Sequence, residues 1–352
     1  MQTYPKKRFS LAKTAFFAVI LTLISAAFLR AQAQEEHASD STKTEASHGG
    51  ELNVSEVIIE HVLDNHTWHF FDGHYGTLFL PVIVHSKARG FEIFSSSRFF
   101  DEHHNPVAYN GYTLEHNHIY LEGEPVFDLS ITKNVAMLFI NAILLLVVFT
   151  SVARAYKSNP GKAPSGLRSF IEPIVLFVQD EIVKPNVGAK YERYLPYLLT
   201  LFFFILFGNL LGLLPGAANL TGNIAVTLVL AVLTFLITNF SGNKNYWSHI
   251  FWTPGVPLLL RPLILPVEII GIFTKPFALT IRLFVAITAG HIVILSLICL
   301  TFIFHSYFVG VGASFVVLFI NLIELLVAGI QAYVFTLFTS LYIGMATVEE
   351  HH

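Results

Sequence analysis

At 352 residues with 54% hydrophobic residues, 33 Phe and only 13% charged residues, the chain is too apolar for an ordinary soluble domain, in which apolar residues make up about 45–50% and charged ones about 25%. The formal charge of −3 excludes little, because sixteen of the 24 acidic residues and 11 of the 16 histidines fall between Glu35 and Asp128 and the long apolar runs all follow. A single cysteine, Cys299, excludes an internal disulfide.

Residues 1–33 read as an export signal: Lys6, Lys7, Arg8 and Lys13 precede an apolar core over 14–29, and Ala31-Gln32-Ala33 offers a small-residue cleavage site. The rival is an uncleaved anchor, disfavoured because the apolar run is shorter than the roughly 20 residues a spanning helix needs. Residues 34–51 are polar, lack apolar periodicity and read as a flexible linker. Over 52–130 a small external β-rich domain is expected, with a short helix over 54–62 and strands over 77–85, 91–94 and 112–121, which are β-branched, aromatic and broken by glycine. It is rich in histidine: His61, His66, His69, His74, His85, His103, His104, His116 and His118. Imidazole is a common metal ligand, but no HExxH or CxxC pattern accompanies these residues. They read as a surface population, and no metal is expected.

The membrane part spans 131–352, with helices near 134–154, 195–215, 223–240, 263–305 and 311–346. The segment from Arg154 to Tyr194 reads as a loop in which seven Lys and Arg face four acids, an excess that places it in the cytoplasm. Export of the amino-terminal part gives the same orientation: amino end outside, carboxyl end inside. The second inner loop, 241–261, carries Trp247 and Trp252, which suit a membrane interface. The last two elements are too long. At 1.5 Å per residue, 263–305 extends roughly 60 Å, about twice the hydrocarbon thickness, so a strongly tilted or bent hairpin is predicted.

That hairpin carries the polar residues. An arginine near the centre of a membrane segment costs roughly 3 to more than 10 kcal/mol and is retained where something uses it. Glu268, Lys275 and Arg282 are seven apart and share a helix face. His291, nine after Arg282, falls half a turn out of phase. Glu324 and Gln331 are again seven apart, with Asn321 just before Glu324. The bland alternative is that Arg282 forms a structural ion pair with an acid on a neighbouring helix. Two other classes stay open at this stage. A secondary transporter would show inverted repeats, and none is visible; a membrane scaffold with an external binding domain would leave Arg282, His291 and Glu324 unexplained.

Several stretches carry a resemblance: Lys275-Pro276-Phe277-Ala278-Leu279-Thr280-Ile281-Arg282-Leu283-Phe284 followed by Ala289-Gly290-His291, Ile330-Gln331-Ala332-Tyr333-Val334-Phe335 with Tyr342-Ile343, Asn209-Leu210-Leu211-Gly212-Leu213-Leu214-Pro215, and Val226-Thr227-Leu228. Over roughly Lys133 to His352 the chain resembles the a subunit of the membrane sector of bacterial F-type ATP synthase, the stator half of a rotary proton motor. The resemblance implies an all-α membrane fold of about five helices, with the last two packed against a c ring. It implies that Arg282 faces the rotor carboxylates, that Gln331 is its companion on the adjacent helix, and that His291, Glu324 and Asn209 line an outer half-channel. Glu268 and Lys275 are candidates for the cytoplasmic half-channel. The implied partners are the c-subunit ring, the b subunits of the peripheral stalk, the rest of the ATP synthase complex and membrane lipid, in the cell inner membrane; no nucleic acid and no cofactor are expected. Two positions depart from the family pattern: Ala286 where many members have Asn, and Gly212 where many have an acid.

Overall fold

The computed structural model describes residues 64–347 apart from 70–76, 87–88, 102–106, 116–117, 159–165, 215, 253–256, 258–260 and 305–306. The export signal, the linker, the helix expected over 54–62, His61, His74, His103, His104, His116 and the tail after 347 lie outside the described residues.

The amino-terminal part is built from short strands. β1 (Thr67–His69) pairs antiparallel with β2 (Thr77–Phe79). β3 (Pro81–Ser86) lies between β4 (Gly90–Ser95) and β8 (Phe127–Asp128), and β6 (His118–Leu121) lies between β5 (Tyr112–Glu115) and β7 (Glu124–Pro125). Alternation sends Val82 and Val84 inward, where they meet Phe99, Tyr112, Ile119 and Leu121. The single strand expected over 112–121 is a hairpin instead, because Glu115 pairs with His118. The period-2 pattern is the same on both arms, so it does not reveal where the chain reverses. At the next reversal Glu122 and Gly123 both have positive φ, the geometry of the tight turns that join twisted strands.

This part is fastened directly to the membrane helices. Asp64 accepts hydrogen bonds from the amides of Asn65 and Asn134, capping the first turn of α1 (Lys133–Ser158). His66 Nε2 lies 2.8 Å from Asp128 Oδ2, while the amide and hydroxyl of Ser130 donate to the other carboxylate oxygen. Burial alone would raise the Asp128 carboxyl; the hydrogen bond and charge of His66, together with Ser130, outweigh it and hold the group below the usual carboxylate range. Trp68 and Leu80 belong to the same buried cluster as the membrane helices.

After α1 the helices are α2 (Leu167–Phe177), α3 (Lys184–Val187), α4 (Tyr191–Gly212), α5 (Ile224–Phe240), α6 (Lys244–Phe251), α7 (Arg261–Phe304) and α8 (Tyr307–Thr347). Four helical stretches of the described residues are long and apolar enough to cross a membrane, and α5 with α6, bent by 103°, makes up to five. This agrees with the count expected from hydropathy. The long hairpin is present as two unbroken helices of 44 and 41 residues, α7 running through Pro266 and Pro276.

The expected loop from Arg154 to Tyr194 is different. It contains α2 and a widened turn over Val178–Val183, which buries Ile171, Val178, Ile182 and Val183 against the bundle. Its charged face obscures the helix in a search for uniformly apolar runs, since an amphipathic segment satisfies water on one side and the core on the other. α4 forms the centre, with Leu198, Leu201, Phe203, Phe204 and Ile205 fully buried. By contrast α7 and α8 leave Leu263, Val267, Ile270 and Phe273, and Phe315, Leu318, Phe319 and Leu322, exposed. Such apolar faces suit hydrocarbon or another membrane protein, since lipid takes the place of a packed core around a spanning helix.

Candidate functional site

α7 and α8 run antiparallel, and three contacts give their register. The Lys275 ammonium lies 5.4 Å from the Tyr342 ring centre, and the Arg282 guanidinium 4.5 Å from that of Phe338. At Gly290, an added Cβ would come within 3.0 Å of Glu324 Oε1. In this register Gln331 comes level with Ala286, between the arginine and the carboxylate. The two stripes inferred from heptad spacing therefore lie side by side.

Arg282 is exposed on α7, while Leu279, Leu283 and Ile287 of the same helix are buried. Among the described residues no carboxylate pairs with it. The structural ion pair entertained as the bland alternative is not observed. Stacking on Phe338 supplies a cation–π contact worth about 0.5–2 kcal/mol. That leaves the charge available on the uncovered face. His291 is half-buried, four residues beyond the buried Ile287 and away from the arginine surface.

Glu324 is 4% exposed, and its carboxyl occupies the space left by the missing side chain of Gly290. No hydrogen-bond partner meets it among the described residues. A buried carboxyl without a partner is costly in either protonation state, so such a group is kept where water or a proton reaches it. Gly290→Ala is therefore expected to displace the Glu324 side chain at a cost of about 1–3 kcal/mol. Vesicle acidification by the assembled complex should slow several-fold, and an unchanged rate would show that the niche tolerates the methyl group.

Asn209 is held by two hydrogen bonds. It is 1% exposed, its amide nitrogen donates to the Ala328 carbonyl at 3.1 Å, and its oxygen accepts from Thr221 Oγ1 at 2.6 Å. It acts as a strut between α4, α8 and the α4–α5 connection, one turn along from Glu324. Gly212 is explained by the same connection: a Cβ there would lie 3.3 Å from Asn219 Oδ1, so Asn219 occupies the space an acidic side chain would need.

On the other side of Arg282, Lys275 and Glu268 interact electrostatically. Lys275 and Tyr342 line a small cavity with Thr234, Thr238, Asn239 and Tyr246. Tyr197, Thr234 and Thr339 form a hydroxyl chain with separations of 3.1 and 3.3 Å, and the buried hydroxyls of Thr238 and Thr336 have no partner among the described residues. Sequence reading passed over these residues. Threonines within apolar helices routinely bond to their own backbone, and only the spacing of 234 with 238 and of 336 with 339 hinted at a shared polar side.

An exposed arginine thus lies between a buried carboxylate and a lysine-lined cavity on two overlong apolar helices of a multi-pass membrane protein. Comparison with known sequences makes this specific. The profile described as ATP synthase A chain matches residues 135–344, and one described as a domain of unknown function (DUF8433) matches residues 57–136. "ATP synthase subunit a 2" of Chlorobium luteolum is 39% identical across 95% of this chain and 93% of its own length. "ATP synthase subunit a" of Chlorobium phaeobacteroides is 39% identical across 92% and 84% respectively. "ATP synthase subunit a 2" of Chlorobaculum tepidum reaches 51% identity over 63% of this chain and 64% of its own. The chain belongs to the ATP synthase A chain family. It is accordingly a non-catalytic, proton-translocating subunit of the ATP synthase membrane sector.

Proposed function

We propose that this chain carries protons through two offset half-channels that meet at Arg282, against a ring of c subunits, with the b subunits of the peripheral stalk as further partners. One observation carries the reading: along the antiparallel α7–α8 pair the exposed Arg282 separates the buried Glu324, which has no hydrogen-bond partner among the described residues, from the cavity at Lys275. Protons enter from the outside near His291 and Glu324, with Asn209 and Gln331 completing the walls, and neutralise a rotor carboxylate that then turns into lipid. After nearly a full revolution the carboxylate meets the inner half-channel, lined by Glu268 and Lys275, and releases its proton. Arg282 favours the ionised carboxylate, because a nearby opposite charge lowers an acid's pKa, and it blocks direct passage between the channels. The field supplies about 2.3 kcal/mol per proton per 100 mV.

The proposed setting is the cell inner membrane, amino end outside. The Lys and Arg residues of 154–194 support that orientation. Residues 1–33 are read as a signal, 34–51 as a linker, 52–130 as the external domain and 131–352 as the membrane domain. The test is an exchange. His291→Glu combined with Glu324→His should retain more ATP-driven proton pumping than His291→Ala or Glu324→Gln alone, each of which should lower the rate by about a hundredfold, the scale of a lost proton-transfer group. Equal loss in all three would count against a paired acid and imidazole in one access path.

A further inference from the structure

We propose that the amino-terminal β domain is a positioning element of the outward half-channel, acting through Trp68 on the connection between α4 and α5. This rests on the reading of Glu324 as part of that half-channel. Trp68 is 6% exposed in β1 and packs into the membrane core, and its indole Nε1–H donates to the Gly216 carbonyl at 2.6 Å. Gly216, with φ at +77°, opens the connection. Four residues on, Leu220 is fully buried and fills the space beside Gly208, while Asn219 lies over Gly212.

From here two hydrogen-bonded arms reach the walls of the Glu324 niche. One runs from Thr221 Oγ1 to Asn209 and from Asn209 to the Ala328 carbonyl on α8, one turn after Glu324. The other joins Thr288 Oγ1, two residues before Gly290 on α7, to the Gly222 carbonyl at 3.4 Å. β1 is in turn held to the start of α1. The Lys133 amide donates to Asn65 O at 3.0 Å, Asp64 caps Asn134, and His66 pairs with Asp128. β1 is thus a bracket with one end on α1 and the other on the connection that spaces α7 and α8 around the carboxylate. A connection between helices is ordinarily among the parts of a fold with the lowest local stability; Trp68 ties this one down. The profile of unknown function covers Asp64, Trp68 and Asn134, so all three anchor points fall inside one matched unit.

The test uses the complete complex in sealed vesicles, driving ATP synthesis while the pH is varied only on the side bearing the β domain. Two replacements remove the N–H: Trp68→Phe, and site-specific incorporation of benzothienylalanine, which keeps the bicyclic shape and so does not put folding at stake. Each is expected to raise the half-saturating proton concentration on that side about threefold to tenfold, the size of one lost hydrogen bond. Maximal rate, ATP hydrolysis and the dependence on pH at the opposite side should stay as in the unsubstituted complex. Superimposable profiles for the benzothienylalanine variant and the unsubstituted complex, in preparations where Glu324→Gln lowers flux about a hundredfold, overturn the bracket and leave the half-channel reading intact. Flux retained by Glu324→Gln overturns both.

Discussion

Complexes carrying Arg282→Ala are expected to hydrolyse ATP without pumping protons, while passive proton leak through the membrane sector persists or increases. The reason is electrostatic. A unit charge about 4 Å from a rotor carboxylate, at the effective dielectric of a partly hydrated site, is worth roughly 4 kcal/mol. That is about three pKa units, or on the order of a thousandfold in the fraction of carboxylate that gives up its proton. The guanidinium has no carboxylate partner among the described residues and lies on an exposed face, so its field is not cancelled within the chain. Arg282→Lys keeps the charge but loses the planar group stacked on Phe338 and is expected to recover only part of the coupling. Coupled acidification of vesicles by the alanine variant, at a rate near that of the unsubstituted complex, would rule out Arg282 as the barrier between the channels.

Gly344→Ala should prevent assembly or lower the thermal midpoint of the complex sharply, although the site lies far along α8 from the proposed outer channel. A Cβ at this position would be 2.0 Å from the Asn186 carbonyl oxygen and 2.9 Å from its carbon. Both opposing atoms are backbone, so no rotamer change relieves the collision, and α8 must move away from α3. Ser340, one turn earlier, donates to the Ile182 carbonyl at 3.4 Å and, like Ile343, is fully buried. The shift would therefore open a continuous contact, with a cost of about 3 kcal/mol or more. Gly271→Ala on α7 is the control, since no atom of the described residues lies within 4 Å of its added methyl, and relief of the helical glycine penalty should make it neutral or stabilising by up to about 1 kcal/mol. A Gly344→Ala complex with an unchanged midpoint would mean that the α3–α8 seam is looser than its geometry implies.

By itself the sequence determined the apolar spans and the two overlong helices, and it singled out Arg282 as the costly charge within them. Membrane insertion is decided segment by segment, and the cost of an intramembrane arginine is visible in the chain without knowledge of its neighbours. Helical phase, also local, sets His291 half a turn from Arg282. What only the tertiary structure decided involves partners distant in the chain. α2 lay hidden in a charged segment because its apolar face is defined only by the bundle it meets. The bonds of Asn209 to Ala328 and from Thr221 join residues 119 and 12 positions away in the chain. Gly212 read as a missing acid until Asn219 was found in the space that acid would need, and Gly290 is small because Glu324 lies against it. The packing of Trp68 from the β domain into the buried cluster of the membrane helices was likewise invisible in the sequence. The physical reason is the same each time: local hydropathy and periodicity say which surfaces a segment must cover, and close packing between distant segments says with what.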